Sequence, residues 1–290
     1  MEARKKLFGL EHKETLSSIV IVGLAYGLGG RWKEAEELEV QVIETCQRVL
    51  GKEHPFTLNS MANLASTYWN QGRWKGAEEL EVRVTETKKR VLGEEHPSTL
   101  SSMANLASTY RNQGRWKEAE ELEVRVTKTK KRVPGEEHPS TLSSIANLAL
   151  IYGNQGRWKE AEELDVQVIE IRQRVLGKEH PHTLTSIANL ASIYRNQGRW
   201  KEAEELEIQV IKTKQIVLGK EHPDTLTTIN NLAFTWKGQG RAIEAISLME
   251  RCFQLRKHIL GPGHPDTETS LEALYRWENK GYELDQNLSN

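Results

Sequence analysis

Residues 55–96 read PFTLNSMANLASTYWNQGRWKGAEELEVRVTETKKRVLGEEH. In the first part Leu58, Met61, Leu64, Ala65 and Tyr68 recur at the spacing of one helix face, which predicts a helix of roughly four turns over 55–70. Pro55 suits its first turn, where a missing N–H has no intrahelical partner to lose. Gln71-Gly72 interrupts the pattern. A second periodic run through Trp74, Ala77, Leu80, Val84 and Val91 ends near Leu92. Gly93 then stands where a left-handed backbone needs no Cβ. The stretch encodes two antiparallel helices, a short turn and a joint at 93–96.

The same text recurs along the chain. Gly-Arg-Trp begins at Gly30, Gly72, Gly114, Gly156 and Gly198, decaying to Gly240-Arg241-Ala242. His-Pro begins at His54, His96, His138, His180, His222 and His264, each 42 residues after the last. Self-similarity at a fixed period marks stacked units that bury their apolar faces against one another. Composition agrees: 37% hydrophobic residues and a mean hydropathy of −0.62 hardly fill one thick core and suit a thin, shared one. We therefore expect an all-α solenoid of antiparallel helix pairs in a single array over 1–290. It comprises a partial unit 1–11, repeats 12–53, 54–95, 96–137, 138–179, 180–221 and 222–263, and a C-terminal partial unit 264–290. Arg4 to Gly9 matches Cys46 to Gly51 and Lys88 to Gly93 in character, so the chain is expected to begin inside a second helix, at an internal cut or truncation of something longer. His264-Pro265 should open a first helix running to about Lys280, with no second helix behind it.

Charge bounds the function. Forty basic against 41 acidic residues give a net charge of −1, which removes the electrostatic case for nucleic acid. No run approaches the ~18 apolar residues of a membrane span. Cys46 and Cys252 lie far apart and the first ten residues lack a secretory apolar segment, so a reducing, cytoplasmic setting is expected. Glu78, Glu79 and Glu81 near the start of a second helix, and Lys88, Lys89 and Arg90 near its end, complement the helix dipole. With Glu79–Arg83 and Glu86–Arg90 as i, i+4 pairs worth ~0.2–0.5 kcal/mol each, they read as a solvated face. The joint histidines, one per unit, stand too far apart to share a metal ion and read as helix-start residues. Neither the phosphate-loop, zinc-protease and nucleophile-elbow patterns nor an EF-hand loop occurs. Gly23, Gly27, Gly29 and Gly30 lack the strand of a dinucleotide loop and read as a degenerate first helix and its turn. No catalysis, cofactor or metal is expected. Trp74, Trp116, Trp158 and Trp200 open the second helices and are expected in the inter-helix core.

Leu64-Ala65-x-x-Tyr68, Gly72-x-Trp74-x-x-Ala77 and Leu80 resemble the tetratricopeptide repeat, in which a small residue and an aromatic on the first helix pack against an alanine on the second. The 42-residue spacing, with the Leu-Gly-x-Glu-His-Pro joint at Leu50 to Pro55, resembles the kinesin light chain type. Gly-Arg-Trp-Lys-Glu-Ala-Glu-Glu-Leu is also similar to the C-terminal arrays of fungal STAND or NLR-like receptors. The resemblance implies a right-handed superhelical scaffold that binds a peptide or partner protein along a concave face lined by first helices. The alternative it implies is a sensor or oligomerisation segment contacting the other domains of its own parent. Val133-Pro134-Gly135 departs from the Val-Leu-Gly pattern and should shorten or bend that second helix.

Opposite the core face of each first helix runs a stripe without charges: Asn59, Asn63, Ser66, Asn70; Ser101, Asn105, Ser108, Asn112; Ser143, Asn147, Leu150, Asn154; Thr185, Asn189, Ser192, Asn196. A solvated face would have taken Glu and Lys, which are better helix formers. Amides both donate and accept, so Asn63, Asn105, Asn147, Asn189 and Asn231, with Asn112, Asn154 and Asn196, are candidate contacts to the main chain of an extended peptide. Equally, the amides could bond neighbouring first helices and only hold the stack. Arg111, Arg195 and Lys237 flank the stripe and suggest an acidic ligand; end-to-end self-association is a further option. Toward the start the stripe is apolar (Ile21, Leu24, Leu28), either as groove wall or as a face for a preceding repeat. At the far end it runs through Thr227, Asn231, Phe234 and Gly238, then Thr269, Ala273, Arg276 and Lys280.

Overall fold

A computed structural model describes residues 2–288, without the side chains of residues 2, 3, 5 and 278–288. Among the described residues the chain is helical with short connections and no strands. The helices are α1 (Glu2–Phe8), α2 (Lys13–Leu28), α3 (Trp32–Val49), α4 (Pro55–Asn70), α5 (Trp74–Leu92), α6 (Pro97–Asn112), α7 (Trp116–Arg132), α8 (Pro139–Asn154), α9 (Trp158–Val175), α10 (Pro181–Asn196), α11 (Trp200–Val217), α12 (Pro223–Gly238), α13 (Ala242–Ile259) and α14 (Pro265–Leu288). They fall into two compact units, Met1–Asn147 and Leu148–Asn290.

In the first unit each helix packs on the next, and α2 also touches α4, so first helices of successive pairs are neighbours. Ala65 of α4 and Ala77 of α5 are fully buried where the paired helices approach. The core around them is shared between pairs: Ile43 of α3 joins Leu58, Met61 and Leu64 of α4 and Val84 of α5. The second unit repeats the scheme, with Leu184 and Ile187 of α10 packed against Val210 of α11 and Ile169 of α9. There α10 touches α12.

Joints and turns are set by a few residues. Gly93 (φ +91°) follows α5 and Gly72 (φ +71°) lies between α4 and α5, both in the left-handed region that side chains resist. The histidines are N-caps: Nδ1 of His54 accepts the Phe56 amide at 3.2 Å, and His96 that of Ser98 at 3.1 Å. Three residues on, the Thr57 hydroxyl donates to the Gly51 carbonyl at 2.8 Å and closes the joint. His222 and Thr225 do the same in the second unit.

Pro134 stops α7 at Arg132, one residue earlier in register than α3, α9 and α11. The glycine-bearing stretch at 23–30 is indeed the end of a first helix and its turn. At the other end α14 continues past Lys280 to Leu288, because no Gln-Gly-Arg turn interrupts it. Residues 289 and 290, the last of the C-terminal partial unit, and Met1 of the first lie outside the described residues, as does the Lys280 side chain.

Candidate functional site

The turn motif is an interlock between pairs. Arg73 lies over the Tyr68 ring (3.9 Å) and donates to Glu36 of the preceding pair at 2.7 Å, while the Gln71 amide reaches the same carboxylate at 3.0 Å. Arg115, with Tyr110 and Glu78, repeats this in the first unit; Arg199, with Tyr194 and Glu162, does so in the second. Each guanidinium is thus stacked and paired at once.

The tryptophans of this motif are not core, contrary to expectation. Trp74 and Trp116 are 39% and 42% exposed, and Trp158 and Trp200 are half-buried. As first residues of their helices they sit at an edge, and the buried position falls three residues later to Ala77, Ala119, Ala161 and Ala203. The Trp200 ring covers Gly238, where a Cβ would come within 2.5 Å of it.

A second correction concerns the charges read as solvated. Glu39, Glu81, Glu123, Asp165 and Glu207 share one register position and are all buried, as are Lys88, Lys130, Arg172 and Lys214 seven residues beyond the last four and Arg256 in the same register as these cations. Lys130, Arg172, Lys214 and Arg256 reach across to the next first helix. Lys130 donates to the Ser140 carbonyl (3.3 Å) and the Ser144 hydroxyl (2.9 Å); Arg172 makes the equivalent bonds to His182 and Ser186. Arg4 of α1 keeps the register, bonding Glu14 and Ser18. Burial pushes the Lys88, Lys130 and Lys214 ammonium groups below their ordinary range. Arg90 meets Glu53 in the preceding joint, and not the i−4 partner expected for it.

The buried carboxylates lie behind the asparagine stripe. Desolvation drives Glu81, Glu123, Asp165 and Glu207 up to about 7 and raises Glu39 as well. Thr235 donates to Glu207 at 2.7 Å. Spacing could have revealed these groups: Ala77, Glu81, Val84 and Lys88 follow one another at steps of four, three and four, on the buried face itself.

The stripe residues fare unequally. Asn63, Asn147, Asn189 and Asn231 are half-buried and Asn105 is exposed. Asn63 lines a cavity of about 310 Å³ together with Leu24, Leu28, Glu39 and Asn70. Ile21 and Leu28 are well exposed (64% and 85%), so the apolar start of the stripe stays open with α1 in place. Both Glu123 carboxylate oxygens are buried without a hydrogen-bond partner. Among the outer asparagines, Asn112 is half-buried, Asn154 exposed, and Asn196 borders an open hollow at the turn before α9. The Ser66, Ser143, Thr185 and Ser192 hydroxyls donate to carbonyls of their own helices.

The basic flank is not an open positive wall. Arg195 stands 3.6 Å from Glu207, Arg111 is half-buried within reach of the Glu123 charge, and Lys237 lies over the Trp277 ring at 5.6 Å. Among the described residues no helix is long and apolar enough to cross a membrane.

Family models described as "tetratricopeptide repeat" match residues 15–56, 57–98, 99–140, 139–216 and 225–266. The chain belongs to the tetratricopeptide repeat family. A Podosopora anserina kinesin light chain-like protein of nearly identical TPR-like repeats is similar at 36% identity, covering 70% of this chain and 96% of that one, with a TM-score of 0.59. NprR in complex with its cognate peptide NprX shares the fold at 15% identity, a TM-score of 0.68, and coverage of 100% and 82%. A Rap protein complexed with competence and sporulation factor does so at 11% identity, a TM-score of 0.58, and coverage of 96% and 83%. No curated protein matches the chain. The repeat array is a scaffold of the kinesin light chain-like kind, its helix pairs stacked within each unit.

Proposed function

We propose that the chain is a non-catalytic scaffold that binds an extended peptide, or an extended segment of a partner protein, along the stripe faces of its first helices. The observation that carries the reading is the cavity where Asn63 stands with Leu24, Leu28 and Glu39: a polar, partly apolar concavity on the stripe itself. The amides have little else to do, since successive pairs are fastened by the Arg-Glu interlocks and the buried cations. Asn63, Asn105, Asn147, Asn189 and Asn231 would bond the peptide main chain, and Asn112, Asn154 and Asn196 its flanks. Of two neighbours of the same fold, NprR holds its cognate peptide and the Rap protein holds competence and sporulation factor, which supports this use of the architecture.

Arg111, Arg195 and Lys237 argue less for an acidic ligand than their sequence positions imply, being engaged with Glu123, Glu207 and Trp277. The partition into six 42-residue pairs between partial units 1–11 and 264–290 remains our reading of the repeat boundaries. A reducing, cytoplasmic setting fits Cys46 and Cys252, both buried and unpaired.

The test is capture of partners from lysate and of peptides from a random nonapeptide pool by the full chain and by a variant with Asn105, Asn147 and Asn189 replaced by alanine. The wild-type protein should retain ligands that the variant loses at unchanged helicity. Equal retention by both would remove the stripe from the binding surface.

A further inference from the structure

Position 27 and its equivalents, each 42 residues apart, are Gly27, Trp69, Arg111, Gly153, Arg195 and Lys237. At Arg195 the side chain lies over Glu207, with Nη1 at 3.6 Å from the carboxylate and 3.3 Å from the Asn231 carbonyl, while Thr235 donates to the other carboxylate oxygen at 2.7 Å. Four periods earlier the corresponding residues are Gly27, Glu39, Asn63 and Thr67. The carboxylate, its threonine partner and the asparagine are kept, and the arginine is replaced by glycine.

What the missing side chain leaves is the cavity of about 310 Å³ lined by Gly27, Glu39 and Asn63, with Leu24 and Leu28 exposed at its mouth. Glu39 is 4% exposed and its Oε2 has no hydrogen-bond partner. A buried carboxylate oxygen left so is costly unless a cation or donor reaches it. Among available side chains the planar, weakly hydrated guanidinium fits best, because it pairs a carboxylate and an adjacent carbonyl with separate N–H groups. The Leu24 and Leu28 side chains and the Trp32 ring, which lies 3.7 Å from where a Cβ on Gly27 would stand, offer apolar surface to the methylene stem.

We propose that this cavity is a subsite for a basic side chain of the ligand, an arginine before all others, which takes the place that Arg195 fills from within the chain. The proposal rests on the peptide-binding reading above and deepens it: the ligand would be a peptide with a basic residue anchored at the first complete repeat, not a uniformly acidic one.

Two measurements on the full chain test it. First, Gly27→Arg should supply the guanidinium internally, since its Cβ meets only ordinary contacts. Its melting temperature should exceed that of Gly27→Gln, and the difference should vanish when Glu39→Gln is added. Second, random nonapeptides are incubated with the protein and the bound fraction sequenced by mass spectrometry. Peptides held by the wild type should be enriched in arginine at one position by about tenfold, and this enrichment should be lost in both Glu39→Gln and Gly27→Arg. If peptides bind but arginine enrichment is absent or identical in all three proteins, the subsite is overturned while peptide binding stands. If none of the proteins retains any peptide, the peptide-binding reading fails and takes the subsite with it. No stability difference between Gly27→Arg and Gly27→Gln would overturn the slot's preference for a cation independently of any peptide.

Discussion

Nη1 of Arg195 stands 3.6 Å from Oε1 of Glu207, a carboxylate 1% exposed, and the two belong to the paired helices α10 and α11. Removing one partner of such a pair strands the other in a medium that cannot solvate it. Arg195→Ala should therefore destabilise the protein by about 3 kcal/mol. Adding Glu207→Gln should recover much of that loss, since the neutral amide keeps the bond from Thr235 without a buried charge. Chemical denaturation of the two single variants and the double variant measures the coupling. Additive losses would mean that the 3.6 Å approach contributes nothing.

Lys130 is a different kind of buried charge, satisfied by a carbonyl and a hydroxyl on the next helix and by no carboxylate within bonding distance. Lys130→Met keeps the apolar stem and deletes the ammonium, so the loss should be about 1–2 kcal/mol, the range for a hydrogen bond made by a charged group. The chain itself carries the neutral version at the same register in Cys46, which is fully buried. A loss well beyond this range in thermal or urea denaturation would show that Lys130 also balances the Glu123 charge.

The four carboxyls held up at about 7 give the stability a definite pH dependence. A folded-state value raised above the unfolded one of roughly 4 means that the native state binds more protons between those limits. Their contribution is complete below about pH 4 and is lost as pH rises toward 7. Glu36, Glu78 and Glu204 act oppositely: against the burial that would raise them, Arg and Gln partners hold them low, so their contribution is lost on acidification. The melting temperature should thus peak near pH 5 and decline to pH 8. Glu81→Gln should flatten the decline, and a level profile between pH 5 and 8 in the wild type would show that these carboxyls titrate normally.

Trp116→Ala tests how far the aromatic of the turn contributes. A ring 42% exposed cannot return the full cost of a buried tryptophan, about 3–5 kcal/mol, and we expect about 1–2 kcal/mol instead. Guanidinium chloride unfolding resolves the two ranges.

The periodic faces made the helix pairs legible. Leu58 to Tyr68 predicted α4 over its full length, and the run from Trp74 to near Leu92 predicted α5, because the apolar spacing and the glycine at each end agree. His54 was legible as a helix start because Pro55 follows it. The buried charges were not, although Glu81 and Lys88 lie on the same face as Ala77 and Val84. A carboxylate next to two solvated ones reads as their equal. Trp74 failed in the opposite sense: its size argued for burial, whereas its place at the first residue of a helix leaves half the ring at an edge. The cavity at Gly27 was hidden because a missing side chain signals only when the chain's other copies are aligned beneath it.

The asparagine stripe yields the last prediction. Asn105 is exposed, so Asn105→Ala removes an amide with little structural duty; Asn147 is half-buried, so its replacement also disturbs packing. If the stripe holds peptide main chain, both variants should lose affinity by about 0.5–1.5 kcal/mol, the net worth of one hydrogen bond. Only Asn147→Ala should also lower the melting temperature, because only its side chain is partly buried. Titration of a captured peptide against both proteins separates the roles. Unchanged affinity in Asn105→Ala together with a lower melting temperature in Asn147→Ala would assign the stripe to the stack. Affinity losses of similar size in both would assign it to the ligand.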